Sequence, residues 1–231
     1  MSWMGELVEY ASARVDERAV DALLGRGVSE EQIGQFQIGC LQGELPDCVP
    51  DDFRRWAQDK INDVFLLPLT NALGDVLGLQ VRAVTGKSRY YDYLPDKREA
   101  CSFGLGQAAS SMWETESVFL VEGAFDLFPI HRAFPAVVAT LTAHTNVLLA
   151  RVLRRLVGRV WVGYDMDPPG RRGCSEFLRD HKNSFQVYIV SYPKIGSVKD
   201  PGELWELWGD AQLIPYIQGL INKPEGEWFY G

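Results

Sequence analysis

Three short stretches hold the residues best suited to chemistry: Glu122 at the end of SVFLVEG, Asp165 and Asp167 at the end of RVWVGYDMD, and the cluster KDPGE at 199–203. Carboxylates gathered in this way suit Mg2+, which prefers hard oxygen donors in an octahedron and keeps several of its waters, so a site needs few of them. In a D-x-D pair on extended backbone both side chains leave the same face, and Asp165 and Asp167 can share an ion. Two cations so held stabilise the attacking and leaving oxygens of a phosphoryl or nucleotidyl transfer. Glu122 can position a water or move a proton. Each element also has a plainer explanation. A lone D-x-D is most often a surface turn or cap, and the glycine after Glu122 can simply supply a turn. Asp126 suits the first turn of a following helix, where the dipole favours an acid, and Glu203 can start another helix. Their recurrence in one βα register favours the chemical reading.

The elements that must position these residues are legible as a pattern. Residues 117–190 alternate: SVFLVEG, PAVVAT, RVWVGYD and FQVYIV read as strands, and AFDLFPIHRAF, NVLLARVLRRL and GRRGCSEFLRDH as helices. Short apolar strands alternating with helices predict right-handed crossovers and a parallel sheet covered on both faces. Ligands of such a sheet bind beyond the carboxyl ends of its strands, where Glu122 and Asp165 fall. The first 60 residues read as helical, with Ser29 and Gln32 spaced as a capping box. From residue 64 the pattern turns to strands: 64–69 and 75–84 flank a turn-like TNALG, and RYYDYL (89–94) adds a third. The expected architecture is α/β, a mixed N-terminal α+β subdomain over 1–113 followed by a parallel-sheet α/β domain over 114–231.

The chain has 231 residues, 46% apolar and 23% charged, with a formal net charge of −8. That balance excludes a large surface gripping nucleic acid by charge alone, although bound cations would return positive charge to an acidic site. Phosphate contacts must then be local. Arg171 and Arg172, just after the D-x-D, are placed for them beside a helix N-terminus. Arg151, Arg154, Arg155 and Arg159 form a basic stripe whose simpler reading is a solvated helix face. Tyr90, Tyr91 and Tyr93 can stack on single-stranded bases or pack a core. Cys40, Cys48, Cys101 and Cys174 show no CxxC spacing, and the three histidines none at helical spacing, so no zinc site is assigned. No apolar run is long enough to span a membrane, and the N-terminus lacks a signal pattern; a cytoplasmic protein is expected.

VEGAFD (121–126), YDMDPPGRRG (164–173) and KDPGEL (199–204) together resemble the three signatures of the Toprim domain, shared by primases, topoisomerases, small nucleases and recombination factors. VEG-x-x-D is most similar to the DnaG-type primases. RGVSEEQIGQFQIG (26–39), FLLPLTNALGDVLGLQVR (65–82) and SFGLGQA (102–108) resemble further segments of that core, in the same order, so the likeness spans about residues 15–210. The resemblance implies Glu122 as catalytic acid or base and Asp165, Asp167 and Asp200 as ligands of Mg2+ or Mn2+. It implies Arg82, Arg89 and Tyr90 on template or nucleotide, and Asp126 as part of the first signature. The sequence departs from the family at Gly202, where D-P-D has its second acid and Glu203 is the nearest substitute. It departs again at Asp92, in place of an asparagine. A zinc-binding module and a helicase-interacting domain are not expected within it, so a separate zinc module or a replicative helicase is an expected partner.

The resemblance implies a DNA primase that joins ribonucleoside triphosphates into short RNA primers on single-stranded DNA, in a bacterial cell or a phage-infected host. Two alternatives stay open. A Toprim nuclease would use similar carboxylates with water as nucleophile, but has no need of residues 26–108. A non-catalytic DNA-binding replication module would fit the change at Gly202, but not the retention of Glu122, Asp165 and Asp167.

Overall fold

Apolar spacing and capping side chains account for the helices of the N-terminal half. Helix α1 (Trp3–Ser12) is capped by Ser2, whose hydroxyl accepts from the Gly5 amide, and buries Met4, Leu7, Val8 and Ala11, a stripe at three- and four-residue spacing. Asp16 caps α2 (Glu17–Leu24) through the Ala19 amide. Before α3 (Glu30–Gln35), Ser29 accepts from the Gln32 amide at 3.2 Å and the Gln32 side chain accepts from the Ser29 amide at 3.0 Å. The expected capping box is thus present. Ser29→Ala is expected to lower stability by about 1 kcal/mol, read as a lower denaturant midpoint at unchanged slope.

The computed structural model describes residues 2–85, 90–96 and 98–222, in two compact units, Met1–Gly106 and Gln107–Gly231. The first holds an antiparallel sheet in the order β1-β2-β3-β4, formed by β1 (Gly39–Leu41), β2 (Val64–Thr70), β3 (Val76–Ala83) and β4 (Tyr90–Tyr93), with α4 (Asp51–Ala57) between β1 and β2 in the chain. The hairpin and its third strand fall where the sequence places them. Strand β1 corrects the expectation of an all-helical first 60 residues. Three residues are too few to show a period of two, and all three are buried by pairing with Val64–Leu66. Gly39 is required there because a Cβ would lie 2.4 Å from the Ala11 Cβ of α1. Phe53 centres the core of this unit, its ring 4.9 to 5.1 Å from those of Tyr93, Trp3 and Trp56.

Helix α5 (Leu105–Thr115) carries the chain to the second unit. There β5 (Ser117–Val121), β6 (Val137–Ala139), β7 (Arg159–Val162) and β8 (Gln186–Ile189) form a wholly parallel sheet in the order β6-β5-β7-β8. The intervening helices are α6 (Leu127–Ala133), α7 (Val147–Leu156) and α8 (Pro168–His181), and α9 (Pro201–Ile221) follows, kinked at Gly209 where φ is +62°. β5 is buried at all five positions, as expected of a central strand covered on both faces. The chain leaves β5 toward β6 on one side and returns to β7 on the other. The carboxyl ends of β5 and β7 therefore flank the point where strand order reverses, the crevice in which open α/β sheets bind ligands. Among the described residues no helix is long and apolar enough to cross a membrane.

Candidate metal centre

Glu122 and Asp165 stand at the ends of these two adjacent strands. The β5–β7 ladder runs to Leu120 and Val162 and is prolonged by the Gly163 amide donating to Leu120 O at 2.9 Å. Close packing of α8 keeps the Asp165 backbone in place: a Cβ on Gly170 would lie 2.2 Å from Asp165 O. Tyr164 beside it is fully buried, its hydroxyl 2.6 Å from Thr145 Oγ1, and burial pushes its pKa up to about 12. It is part of the frame rather than a titrating group.

The acids lie close enough to perturb one another. Burial raises the Glu122 pKa, and the charges of Asp165 and Asp167 raise it further; the Asp165 amide and Lys199 pull the other way. One Glu122 oxygen, Oε2, is buried with no hydrogen-bond partner. Burial likewise raises Asp165, with Asp200 and Asp167 adding to it and Lys199 opposing. Asp126 is raised well above its ordinary value by burial first, then by Asp200 and Asp165. Its two oxygens accept from the Gly123 amide at 3.0 Å and the Gly202 amide at 3.3 Å. The side chain thus ties the end of β5 to the start of α9, a larger role than the helix start expected from sequence.

Asp167 and Asp200 each cap a helix. Asp167 Oδ1 accepts from the Gly170 amide of α8 at 2.9 Å, and Asp200 Oδ1 from the Glu203 amide of α9 at 2.7 Å. Glu203 turns back to the Lys199 amide, accepting at 3.0 Å. Asp165 and Asp167 therefore do not simply share one extended face. Asp165 belongs to the strand end and Asp167 to the helix start. Among the described residues no three of these side chains already stand in a coordination shell.

Lys199 is the residue that sequence reasoning left without a role. Its ammonium lies 3.1 Å from Asp165 Oδ2 and 3.5 Å from Asp200 Oδ2. Burial alone would lower its pKa, but the hydrogen bond to Asp165 and the surrounding carboxylates outweigh that and raise it. A lysine directly before the acid of KDPGE was the only available signal.

Arg171 joins this group: its Nε donates to Met166 O at 2.8 Å, and the side chain is exposed. With Asp165, Met166, Cys174, Tyr192 and Lys194 it lines a cavity of about 420 Å³. Arg172 is exposed on α8. Arg151, Arg154 and Arg155 form an exposed face of α7, whereas Arg159 begins β7 and leaves the stripe. Arg82 and Tyr90 belong to the first unit, where they face each other across β3 and β4, with Tyr90 54% exposed. Arg89 and the KPEGEWFYG tail lie outside the described residues.

The raised carboxylates carry a pH signature. An acid whose folded pKa exceeds its unfolded value contributes stability that is fully present below the unfolded pKa and is lost as pH rises through the folded one. The stability advantage of the wild type over Asp126→Ala, without metal, is expected to be largest near pH 4 and to shrink as pH rises. Denaturant unfolding of both proteins across that range measures it. An advantage that grows with pH would contradict a raised pKa at Asp126.

Residues 119–205 match the family model described as Toprim-like. The DNA primase of Deinococcus radiodurans is 24% identical over 245 residues, covering 94% of this chain and 42% of that protein. The chain thus spans less than half the length of this curated relative. Among solved structures, the Aquifex aeolicus primase, containing zinc-binding and RNA polymerase domains, superposes with a TM-score of 0.73 at 21% identity, covering 94% of this chain and 60% of that one. A DnaG primase catalytic domain bound to single-stranded DNA gives 0.73 at 19% identity, covering 94% and 79%. Residues 119–205 therefore resemble a Toprim-like domain, and the chain has the fold of the DnaG-type primase catalytic core.

Proposed function

We propose that this chain is the catalytic core of a DNA primase, which joins ribonucleoside triphosphates into short RNA on a single-stranded DNA template. The observation that carries the proposal is the meeting of Glu122 and Asp165 at the carboxyl ends of β5 and β7, with Glu122 Oε2 buried and unpartnered. A buried carboxylate oxygen without a donor invites a cation, and a donor set made only of carboxylate oxygens suits Mg2+ or Mn2+. Glu122 and Asp165 would hold the ion, with Asp167 and Asp200 as further ligands if they release their helix caps and Glu203 as the nearest replacement for an acid at 202. Such an ion supplies charge neutralisation at the α-phosphate and the departing pyrophosphate.

The chain's own residues do the rest. Glu122, made more basic than an ordinary carboxylate by burial and the charges of Asp165 and Asp167, is suited in its charged form to take a proton from the attacking 3′-hydroxyl. The cavity beside Asp165 offers Arg171 to the phosphates, with Arg172 further along α8. In the first unit, Arg82 and the exposed Tyr90 offer a cation and a stacking face to the template, and Arg89 is assigned to the same task. The solved catalytic domain bound to single-stranded DNA supports DNA as the partner. A separate zinc-binding module or a replicative helicase would supply start-site choice and delivery, within a bacterial or phage-infected cytoplasm.

The test incubates the protein with single-stranded DNA, labelled ribonucleotides and Mg2+ or Mn2+, with Asp165→Ala/Asp167→Ala as control. Short RNA made by the wild type and lost in the double variant is expected. Degraded template without new RNA would identify a nuclease instead. Cation binding with neither product would identify a non-catalytic module.

A further inference from the structure

We infer that Lys199 is a built-in cation of this site, standing between Asp165 and Asp200 where a second divalent ion would otherwise bridge them, so that the chain takes up one ion rather than two. The inference rests on the metal reading of the site above. Its first support is geometric. The ammonium lies 3.1 Å from Asp165 Oδ2 and 3.5 Å from Asp200 Oδ2, and the two carboxyl side chains are only 15% and 14% exposed. The lysine is held there by its own backbone: Lys199 O accepts from the Met166 amide at 2.7 Å and Lys199 N donates to Glu203 at 3.0 Å. The return of the chain to the end of β7 thus fixes the Lys199 backbone, and from there the side chain, 44% exposed, sets its ammonium against both carboxylates.

The second support is Gly202. Its amide already donates to Asp126 at 3.3 Å, and a Cβ would stand 3.0 Å from Asp126 Oδ1 and 3.3 Å from Asp200 Oδ1. A side chain at 202 would press on both acids. An ion on the Asp200 side thus finds one carboxylate committed to a lysine, another committed to two amides, and none at 202. On the β5 side the unpartnered Glu122 Oε2 remains open, and a single ion belongs there. Removing the ammonium would leave Asp165 and Asp200 facing each other with no cation between them, an arrangement that disfavours both charges and that a divalent ion relieves.

Free Mn2+ measured by electron paramagnetic resonance during titration of the full chain counts bound ions without any appeal to activity. One ion per wild-type chain is expected, two for Lys199→Met, and one for Lys199→Arg, which restores the cation. Glu122→Gln is expected to weaken the single wild-type ion by at least the roughly 10- to 100-fold typical of losing a carboxylate that only orients a ligand, because Glu122 itself holds the ion. Two ions on the wild type would overturn the inference while leaving the metal reading intact, as would a folded Lys199→Met that still binds one. Should Lys199→Met fail to fold, the wild-type count and Lys199→Arg still decide. No uptake by the wild type would overturn the metal reading and this inference together.

Discussion

Glu122→Gln is expected to reduce primer synthesis by about 10²- to 10⁴-fold, the range contributed by a positioned acid or base, while leaving the fold intact. The two halves of that expectation come from one environment. Burial and the neighbouring charges of Asp165 and Asp167 raise the Glu122 pKa, so the site penalises the charged carboxylate and an uncharged amide of the same shape is a close substitute for the fold. The stability cost is confined to the buried Oε2 position, where an amide nitrogen would be an unsatisfied donor at about 1–3 kcal/mol unless the oxygen takes that place. Function loses more, because glutamine neither ligates a cation as a carboxylate does nor accepts the proton of an attacking hydroxyl. Single-turnover RNA synthesis at saturating Mn2+, beside circular dichroism and thermal melting, separates the two effects. Activity within a few-fold of wild type would remove Glu122 from the chemistry.

Gly170→Ala is expected to lower activity about 10²-fold without touching a single acidic residue. A Cβ at this position would fall 2.2 Å from Asp165 O and 2.9 Å from Asp165 N and C, a collision with backbone that no rotamer relieves. The start of α8 must lift away from the end of β7, at about 1–3 kcal/mol of overpacking. The same movement displaces Asp165 on the strand and Asp167, whose side chain accepts from the Gly170 amide. A misplacement of about 1 Å at reacting groups is worth roughly 10² in rate. Gly34→Ala is the control: nothing lies within 4 Å of its added Cβ, and alanine is the better helix former by about 1 kcal/mol. Rates measured where both variants remain folded make the comparison. A Gly170→Ala protein as active and as stable as wild type would mean that α8 does not fix the geometry of Asp165.

Much of this arrangement was legible in the sequence, for physical reasons that differ by element. Val118–Val121 and Val160–Val162 read as strands because both faces of a central parallel sheet are covered, leaving a continuous apolar run. Glu122 and Asp165 then stood out as the first polar residues beyond those runs. Ser29 and Gln32 announced their capping box by spacing alone. Strand β1 was not legible, since three buried residues carry no period and acquire their identity from β2. Lys199, and the link that Asp126 makes to Gly202, were hidden for a related reason. Their roles depend on the chain returning from β8 to the end of β7, a contact across 33 residues marked by the Met166 amide on Lys199 O. Asp167 was expected to face the same way as Asp165, as on extended backbone. The helix that begins immediately after it claims the carboxylate as a cap.

The central claim is that carboxylate oxygens from two neighbouring strands capture a divalent cation at the reversal of strand order. Anomalous scattering from crystals soaked in Mn2+ tests it most directly. An ion in contact with the carboxylates of both Glu122 and Asp165 is the predicted result. Saturating Mn2+ that leaves these two side chains without an ion, or that binds only elsewhere on the chain, would contradict it.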